Sequence, residues 1–372
     1  MNELVVLIVE DNEETAKTLV KTLQESFDGI ETFVEKQFNE ALSRLDRKSQ
    51  YDVLILDLYE GDPQTTNLAG QPIWEHIWGE MFIPIVIYTA GDINLEPEPP
   101  DDHPFIILLQ KGAGSDVAVV NSIQTFKPYI LAMRNVMEEF QVAIHTVLKG
   151  NSPKIWELAA EEVDQRSEIL VRSTRRRLAA MMDMKTLLGE EEMKGWELYV
   201  FPPLENNLLS GDILRKGEGD PLDPSSFRLV LSPSCDLVVQ RGGKIKLNQA
   251  LTSTCETLDR YLECVRSQGK INATDLIDKL PGFLSQPHIG GYVPMPAMKG
   301  VIPSMAANLR ELEIIELEEI GLNESDPKTF IRLASIDSPF REQLIWAYMT
   351  IAGRPGVPNR DLTEWAKQIA PT

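Results

Sequence analysis

The stretch VLILDLYEGD, Val53 to Asp62, places four apolar residues directly before a carboxylate, Asp57. A run that is apolar on both of its faces is typical of a strand buried within a parallel sheet. A single acid at the end of such a strand usually has only a structural role. The function of Asp57 therefore has to be inferred from the other residues of the sequence.

Short apolar runs alternate with amphipathic helical patterns over residues 1–112. Strand and helix in alternation predict an α/β fold, a doubly wound parallel five-stranded sheet with helices on both faces. Ligands of such sheets bind at the carboxyl ends of the strands. The predicted strands are 4–9, 31–35, 53–58, 84–90 and 104–111, and the predicted helices are 14–27, 38–48 and 72–81.

Polar residues follow four of these strands and should meet at one edge of the sheet: Glu10, Asp11, Asp57, Thr89 and Lys111. Three converging carboxylates repel one another unless a cation neutralises them, and a hard divalent ion such as Mg²⁺ prefers oxygen ligands. In this arrangement Asp57 would be a nucleophile toward phosphorus, and Lys111 would offset the charge of the incoming phosphoryl group. Thr89 would offer its hydroxyl to a phosphate oxygen.

A purely structural interpretation exists for each of these residues. Asp11, Asn12 and Glu13 could simply cap the first helix, because acids and Asn are favoured at helix N-termini. A Thr before a turn and a Lys before a Gly are also common. All five residues in order on the expected strands nevertheless favour a functional site.

The residues Glu10-Asp11, Asp57, Thr89-Ala90 and Lys111, at these separations, resemble the receiver domain of two-component response regulators over about the first 125 residues. The resemblance implies that a sensor histidine kinase or phosphotransfer protein phosphorylates Asp57, and that the domain catalyses its own Mg²⁺-dependent phosphotransfer and dephosphorylation. It also implies Mg²⁺ contacts from Asp11, Asp57 and the backbone carbonyl of Tyr59, with Glu10 reaching the ion through water. Thr89 and Lys111 would bind the phosphoryl group.

The sequence departs from this family in three places. The loop after Asp57 is about five residues longer than usual, and Gly112 replaces the proline that usually follows the lysine. The segment GDINLEPEPPDDH, 91–103, has three prolines where the family has its fourth helix. Because proline inside a helix costs about 3 kcal/mol, we expect that helix to be absent and the signal to leave by another face.

Three domains are predicted: a phosphoacceptor domain at 1–125, a helical connector and dimerisation region at 126–200, and an α+β effector domain at 201–372. The connector pattern is helical apart from an interruption at GNSP, 150–153. Its apolar positions Ile130, Val136, Phe140 and Ile144 exceed what one face packed on a receiver sheet needs. A homodimer formed through residues 126–188 is therefore expected.

The effector sequence predicts a small β-barrel or sandwich, with strands at 211–214, 227–239 and 244–251 and a helix from Thr254. Cys235 and Asp236 should lie at a strand end. Together with Cys255, Cys264 and His288 they could form a zinc site, or Cys235 and His288 a nucleophile pair, which would make the effector an enzyme. No Cys-x₂-Cys motif is present, so buried structural cysteine is the favoured interpretation.

Charge and hydropathy limit the partners of the chain. The net charge of the 372 residues is −21, and residues 1–148 contain 9 Lys and Arg against 25 Asp and Glu. Nucleic-acid binding is therefore disfavoured, and the arginines of VRSTRRRLAA, 171–180, are interpreted as a solvated helix face. No apolar stretch is long enough for a membrane span and no signal peptide is evident, so a cytoplasmic protein is expected. The effector is interpreted as a protein-interaction module with an unidentified target.

Overall fold

A computed structural model gives the architecture of the chain. It describes residues 4–370 except for 47–50, 62, 64–67, 82, 101, 160–162, 188–191, 204–205, 219, 240–242, 244, 324 and 355–361. The chain divides into two compact units, Met1–Asp183 and Met184–Thr372. Among the described residues, no helix combines the length and the apolar character that crossing a membrane requires.

The elements of the N-terminal unit are β1 (Val5–Val9), α1 (Glu13–Ser26), β2 (Glu31–Glu35), α2 (Phe38–Asp46), β3 (Val53–Leu56), α3 (Gln71–Gly79), β4 (Ile85–Thr89), β5 (Ile106–Gln110) and α4 (Ser115–Leu158). The strands form a five-stranded parallel sheet in the order β2-β1-β3-β4-β5, as the sequence predicts. One face of the sheet packs on α2 and α3, and the other packs on α1 and the start of α4. Strands β3 and β4 are fully buried because both of their faces are apolar.

The segment between β4 and β5 contains no helix in its described residues, 90–100 and 102–105. It packs instead as an irregular chain against α3. Leu95 is buried in the core beside that helix, and the indole Nε1 of Trp74 donates a 2.8 Å hydrogen bond to the carbonyl of Pro97. The predicted loss of the fourth helix is confirmed.

The connector forms two helices, α4 and α5 (Arg166–Leu187). The predicted interruption at 150–153 is wrong, since α4 continues through Pro153 without a break. Val147 and Ile155 on either side of this proline are buried, and Arg177 of α5 hydrogen-bonds to Asn151. Packing and this contact stabilise the helix more than the proline disfavours it.

The C-terminal unit is an α+β structure around one eight-stranded, mainly antiparallel sheet, which confirms the predicted class. The elements are β6 (Tyr199–Val200), β7 (Asp212–Lys216), β8 (Phe227–Val230), α6 (Ser234–Leu237), β9 (Gln249–Glu256), α7 (Asp259–Gly269), α8 (Leu276–Leu284), β10 (Tyr292–Met295), β11 (Met305–Glu316), β12 (Ile320–Gly321), β13 (Phe330–Ile336), α9 (Phe340–Ala352) and α10 (Leu362–Ile369). The strand order is β10-β11-β9-β8-β7-β13-β12, and β6 pairs with β13.

Three local predictions for this unit are wrong. The predicted strand 244–251 begins only at Gln249. The predicted strand 227–239 ends at Val230, and Cys235 lies in the short helix α6, because Pro233 precedes a helical turn. The predicted helix at Thr254 begins only at Asp259, since Thr254 and Cys255 pair with β11 in the antiparallel sheet. The expected barrel or sandwich is a single sheet, whose outer strands β10 and β12 do not pair with each other in the described residues. The three-part division at 125 and 200 remains a prediction beside the two observed units.

Candidate phosphoacceptor site

The parallel register brings the polar strand ends to one edge of the N-terminal sheet. Val9 is paired with Leu56, and Thr89 with Gln110. Two backbone hydrogen bonds continue this pairing past the strands: the Asp57 N–H donates to Val9 O at 2.9 Å, and the Lys111 N–H donates to Thr89 O at 2.8 Å. The predicted site residues are therefore neighbours on adjacent strands.

Three carboxylates meet at this edge. One oxygen from each of Glu10, Asp11 and Asp57 lies within 4.8 Å of the others. Glu10 and Asp57 are buried, and Asp11 is half-buried. Oxygen ligands in this arrangement suit a hard divalent cation such as Mg²⁺, which binds through one or two carboxylates and keeps several waters.

Lys111 occupies the centre of the acidic cluster. Its Nζ lies 2.7 Å from Oε2 of Glu10 and forms a second ion pair with Oδ2 of Asp57. Burial alone would lower the pKa of Lys111, but the contacts with Asp57 and Glu10 raise it above its ordinary value. The ammonium group therefore stays charged. Burial raises the pKa of Glu10, and the nearby Lys111 opposes this only in part.

Thr89 presents an unsatisfied hydroxyl to the site. The side chain is fully buried, and Oγ1 has no hydrogen-bond partner in the described part of the chain. A buried hydroxyl without a partner costs about 1–3 kcal/mol, so such groups usually serve a ligand or a water. An oxygen of a group bound at Asp57 would satisfy it.

Of the residues that could cap α1, Asn12 provides the cap and Asp11 does not. The side chain of Asn12 accepts hydrogen bonds from the N–H groups of Glu14 and Thr15 and so caps α1. Asp11 instead accepts a 2.6 Å hydrogen bond from the N–H of Gly61, in the loop after β3. Asp11 is thus directed toward the site and not toward the helix.

Two glycines that the sequence analysis did not single out shape the site. A Cβ atom on Gly70 would lie 2.7 Å from the carbonyl oxygen of Asp57, so α3 begins in direct contact with the backbone of the acid. A Cβ on Gly91 would lie 2.5 Å from the ring of Tyr59, whose hydroxyl donates to the carbonyl of Asp92 at 2.7 Å. Both residues are simple loop glycines in the sequence, and only the folded loops show their contacts.

The candidate cysteines of the effector lie on three separate elements. Cys235 is exposed on α6, Cys255 is buried within β9, and Cys264 is partly buried on α7; the three form no disulfide. Nε2 of His288 lies 3.3 Å from the hydroxyl of Thr350. Within the described ranges, these four side chains contribute no group of three potential metal ligands.

Cys255 has the properties of a structural residue. Its side chain belongs to the main apolar core of the C-terminal unit, and burial raises the pKa of its thiol to about 12. A thiol with this pKa is a poor nucleophile at neutral pH. Because the cysteines and His288 form no group of three potential ligands among the described residues, the zinc interpretation has no support in the structure. Asp236, beside Cys235, forms a 2.8 Å ion pair with Lys246 at the surface.

Comparison with protein-family models finds no match, and none of the curated proteins matches the sequence. Among solved structures, the neighbours are response regulator receiver domains that cover only the N-terminal third of the chain. A receiver domain protein from Bacillus halodurans C-125 is 19% identical, with 32% of this chain and 94% of that chain covered and a TM-score of 0.25.

Two further neighbours have similar values. An orphan response regulator of H. pylori is 17% identical, with 33% of this chain and 95% of that chain covered and a TM-score of 0.25. The phosphorylated cyanobacterial phytochrome response regulator RcpA is 19% identical, with 33% and 92% covered and a TM-score of 0.26. At these identities the similarity concerns the fold alone.

Proposed function

We propose that this chain is a response regulator of two-component signal transduction that accepts a phosphoryl group on Asp57. The observation that carries this proposal is the convergence of Glu10, Asp11, Asp57, Thr89 and Lys111 at one sheet edge. Each residue type suits one part of a phosphoryl transfer, which depends on positioning and on charge stabilisation.

Asp57, Lys111 and Thr89 each have a separate role in the proposed reaction. A carboxylate oxygen of Asp57 forms the new bond to phosphorus while the bond from phosphorus to a donor imidazole nitrogen breaks, and the nitrogen leaves with the electron pair. Lys111 then moves its ion pair from the carboxylate to a phosphoryl oxygen, because phosphorylation removes the negative charge of the Asp57 carboxylate. The hydroxyl of Thr89 donates to another phosphoryl oxygen.

Magnesium fits the donor set of the cluster. Asp11, Asp57 and the backbone carbonyl of Tyr59 would hold the ion, with Glu10 reaching it through water, and the ion would neutralise charge on the transferred group. Lys111 pairs with Glu10 and Asp57, whereas Asp11 forms no ion pair within the described part of the chain.

Intact-mass measurement with acetyl phosphate and Mg²⁺ tests the assignment. The wild-type protein should gain the mass of one phosphoryl group, and chelation of Mg²⁺ should prevent the gain. Asp57→Asn should abolish the gain, whereas the matched change Asp52→Asn, at an acid paired with Arg134 away from the site, should preserve it. An unchanged mass gain in Asp57→Asn would exclude Asp57 as the acceptor.

The C-terminal unit is proposed to be the output domain, a module that binds a protein target. Its support is the exposed apolar surface of α9, where Trp346 and Met349 are 59% and 60% exposed beside a groove formed with Pro233. A target should bind with an affinity that changes when Asp57 is phosphorylated.

A further inference from the structure

The C-terminal unit contains a cleft of about 570 Å³ that the proposed phosphotransfer does not use. Helices α7, α8 and α9 and strand β10 form its walls, mainly through leucine and proline side chains. Besides Tyr261, the uncharged polar residues of the lining are Ser285, Gln286, Ser304 and Gln343. This volume lies within the range of about 300–1,000 Å³ that is usual for small-molecule sites. None of the lining residues that the structure describes is charged.

Tyr261 is a lining residue of the cleft and carries a buried hydroxyl. The residue is 1% exposed, and its hydroxyl has no hydrogen-bond partner in the described part of the chain. Burial raises the pKa of Tyr261 to about 12, so the hydroxyl remains protonated and can donate. Buried tyrosine hydroxyls usually find a partner, and an acceptor on a bound molecule would provide one.

Helix α8 forms a wall that is not fully packed. Its sequence LIDKLPGFL is rich in apolar residues, yet no residue of the helix is buried. Ile277 and Leu284 are 80% and 49% exposed, and Leu280 and Leu284 line the cleft. A molecule filling the cleft would bury apolar surface of α8 that the protein alone leaves open to water.

We propose that this cleft binds a neutral, mainly apolar small molecule carrying a hydrogen-bond acceptor, which the Tyr261 hydroxyl recognises. A neutral ligand is favoured because a charged group would lose its hydration without finding a counter-charge among the described lining residues. An acceptor on the ligand is favoured because the proton of the Tyr261 hydroxyl has no acceptor among the described residues. This site is independent of Asp57.

Titration of the full chain with Nile red, a neutral apolar dye with a carbonyl acceptor, tests the site. We expect saturable binding of one dye per chain, with the blue-shifted fluorescence of an apolar environment. Leu262→Trp places a larger side chain in the cleft and should weaken binding at least tenfold. The matched change Leu312→Trp, on β11 at a residue outside the lining, should leave binding unchanged.

Tyr261→Phe gives an independent test that does not depend on how Leu262→Trp folds. It should weaken dye binding about 2- to 10-fold, the net value of one hydrogen bond. The unliganded variant should be at least as stable as the wild type, because it removes a buried hydroxyl that has no partner. A merely structural tyrosine would instead lose stability and keep its dye affinity.

Several results would overturn the proposal. These are the absence of saturable dye binding to the wild type, equal binding by Leu262→Trp, and equal binding by Tyr261→Phe. Displacement of Nile red by the anionic dye anilinonaphthalene sulfonate, at a higher affinity than that of Nile red itself, would contradict a site for neutral molecules.

Discussion

Asp57 is held from three sides before any ligand arrives. Its Oδ1 accepts a 2.7 Å hydrogen bond from the N–H of Leu58, its Oδ2 pairs with Lys111, and its backbone carbonyl abuts Gly70. These contacts fix the Asp57 carboxylate relative to both the Lys111 ammonium group and the start of α3. A carboxylate fixed in this way would lose little entropy in the proposed phosphotransfer.

Gly70→Ala should destabilise the N-terminal unit by about 1–3 kcal/mol, the usual cost of overpacking. The φ of −76° at Gly70 suits any residue, so the cost arises from the contact with the Asp57 carbonyl and not from the backbone conformation. Urea unfolding measures the change. Gly79→Ala at the other end of α3, where a Cβ meets no atom within 4 Å, is the matched control and should be neutral or slightly stabilising.

The acidic cluster was predictable from the sequence, but the contacts that Gly70 and Gly91 make beside it were not. Glu10, Asp57 and Lys111 directly follow apolar strands, and parallel pairing alone brings such residues to one edge. The role of Gly70 depends on how the loop after β3 returns to the sheet. No local pattern of residues encodes that path.

Helix α4 shows that packing can override local propensity. Its 44 residues include Pro128 and Pro153, each of which removes a backbone hydrogen bond. The sequence predicts a break at Pro153, since it contains no information on the burial of Val147 and Ile155. The opposite case is the segment 91–103, where three prolines did correctly predict the loss of a helix.

Pro153→Ala should stabilise the N-terminal unit by about 1–3 kcal/mol, because it restores a helical hydrogen bond at an exposed position. Chemical denaturation followed by far-ultraviolet circular dichroism would measure this gain. The exposed neighbour Lys149, replaced by Ala, should change stability by less than about 0.5 kcal/mol. A loss of stability in Pro153→Ala would mean that the proline itself contributes to the packing of the two connector helices.

The two units differ in how far their sequences predict their folds. The parallel sheet has strands buried on both faces, which produces continuous apolar runs that are easily recognised. The antiparallel sheet of the C-terminal unit pairs β7 with β13, more than 100 residues apart. The ends of its strands depend on partners that are distant in the sequence. The ends of β8 and β9 that the sequence predicts are therefore wrong.

Two copies of the protein should associate through α4 to form a dimer. Along this helix Tyr129, Met133, Met137 and Val136 are 41–58% exposed, and Phe140 continues the stripe toward the buried Val147. The same face of α4 is buried at Val147. Its exposed part, from Tyr129 to Phe140, could therefore pack against α4 of a second copy of the chain. Light scattering of the full chain should give a dimer, and Val136→Glu with Phe140→Glu should give a monomer.

The control for this prediction is Val142→Glu, at a residue that is 65% exposed on the same helix but lies outside the stripe. This variant should remain dimeric. A wild-type protein that is monomeric, with or without phosphorylation of Asp57, would contradict the assignment of α4 as the dimer contact.

The central claim is that Asp57 carries the phosphoryl group. After incubation with acetyl phosphate and Mg²⁺, reduction of the acyl phosphate with borohydride converts the modified aspartate to homoserine, which peptide mass spectrometry locates. We predict homoserine at position 57, dependent on Mg²⁺, with Asp11 and Asp52 unmodified in the same sample. Homoserine at another aspartate, or at none while the intact protein gains phosphoryl mass, would contradict the account.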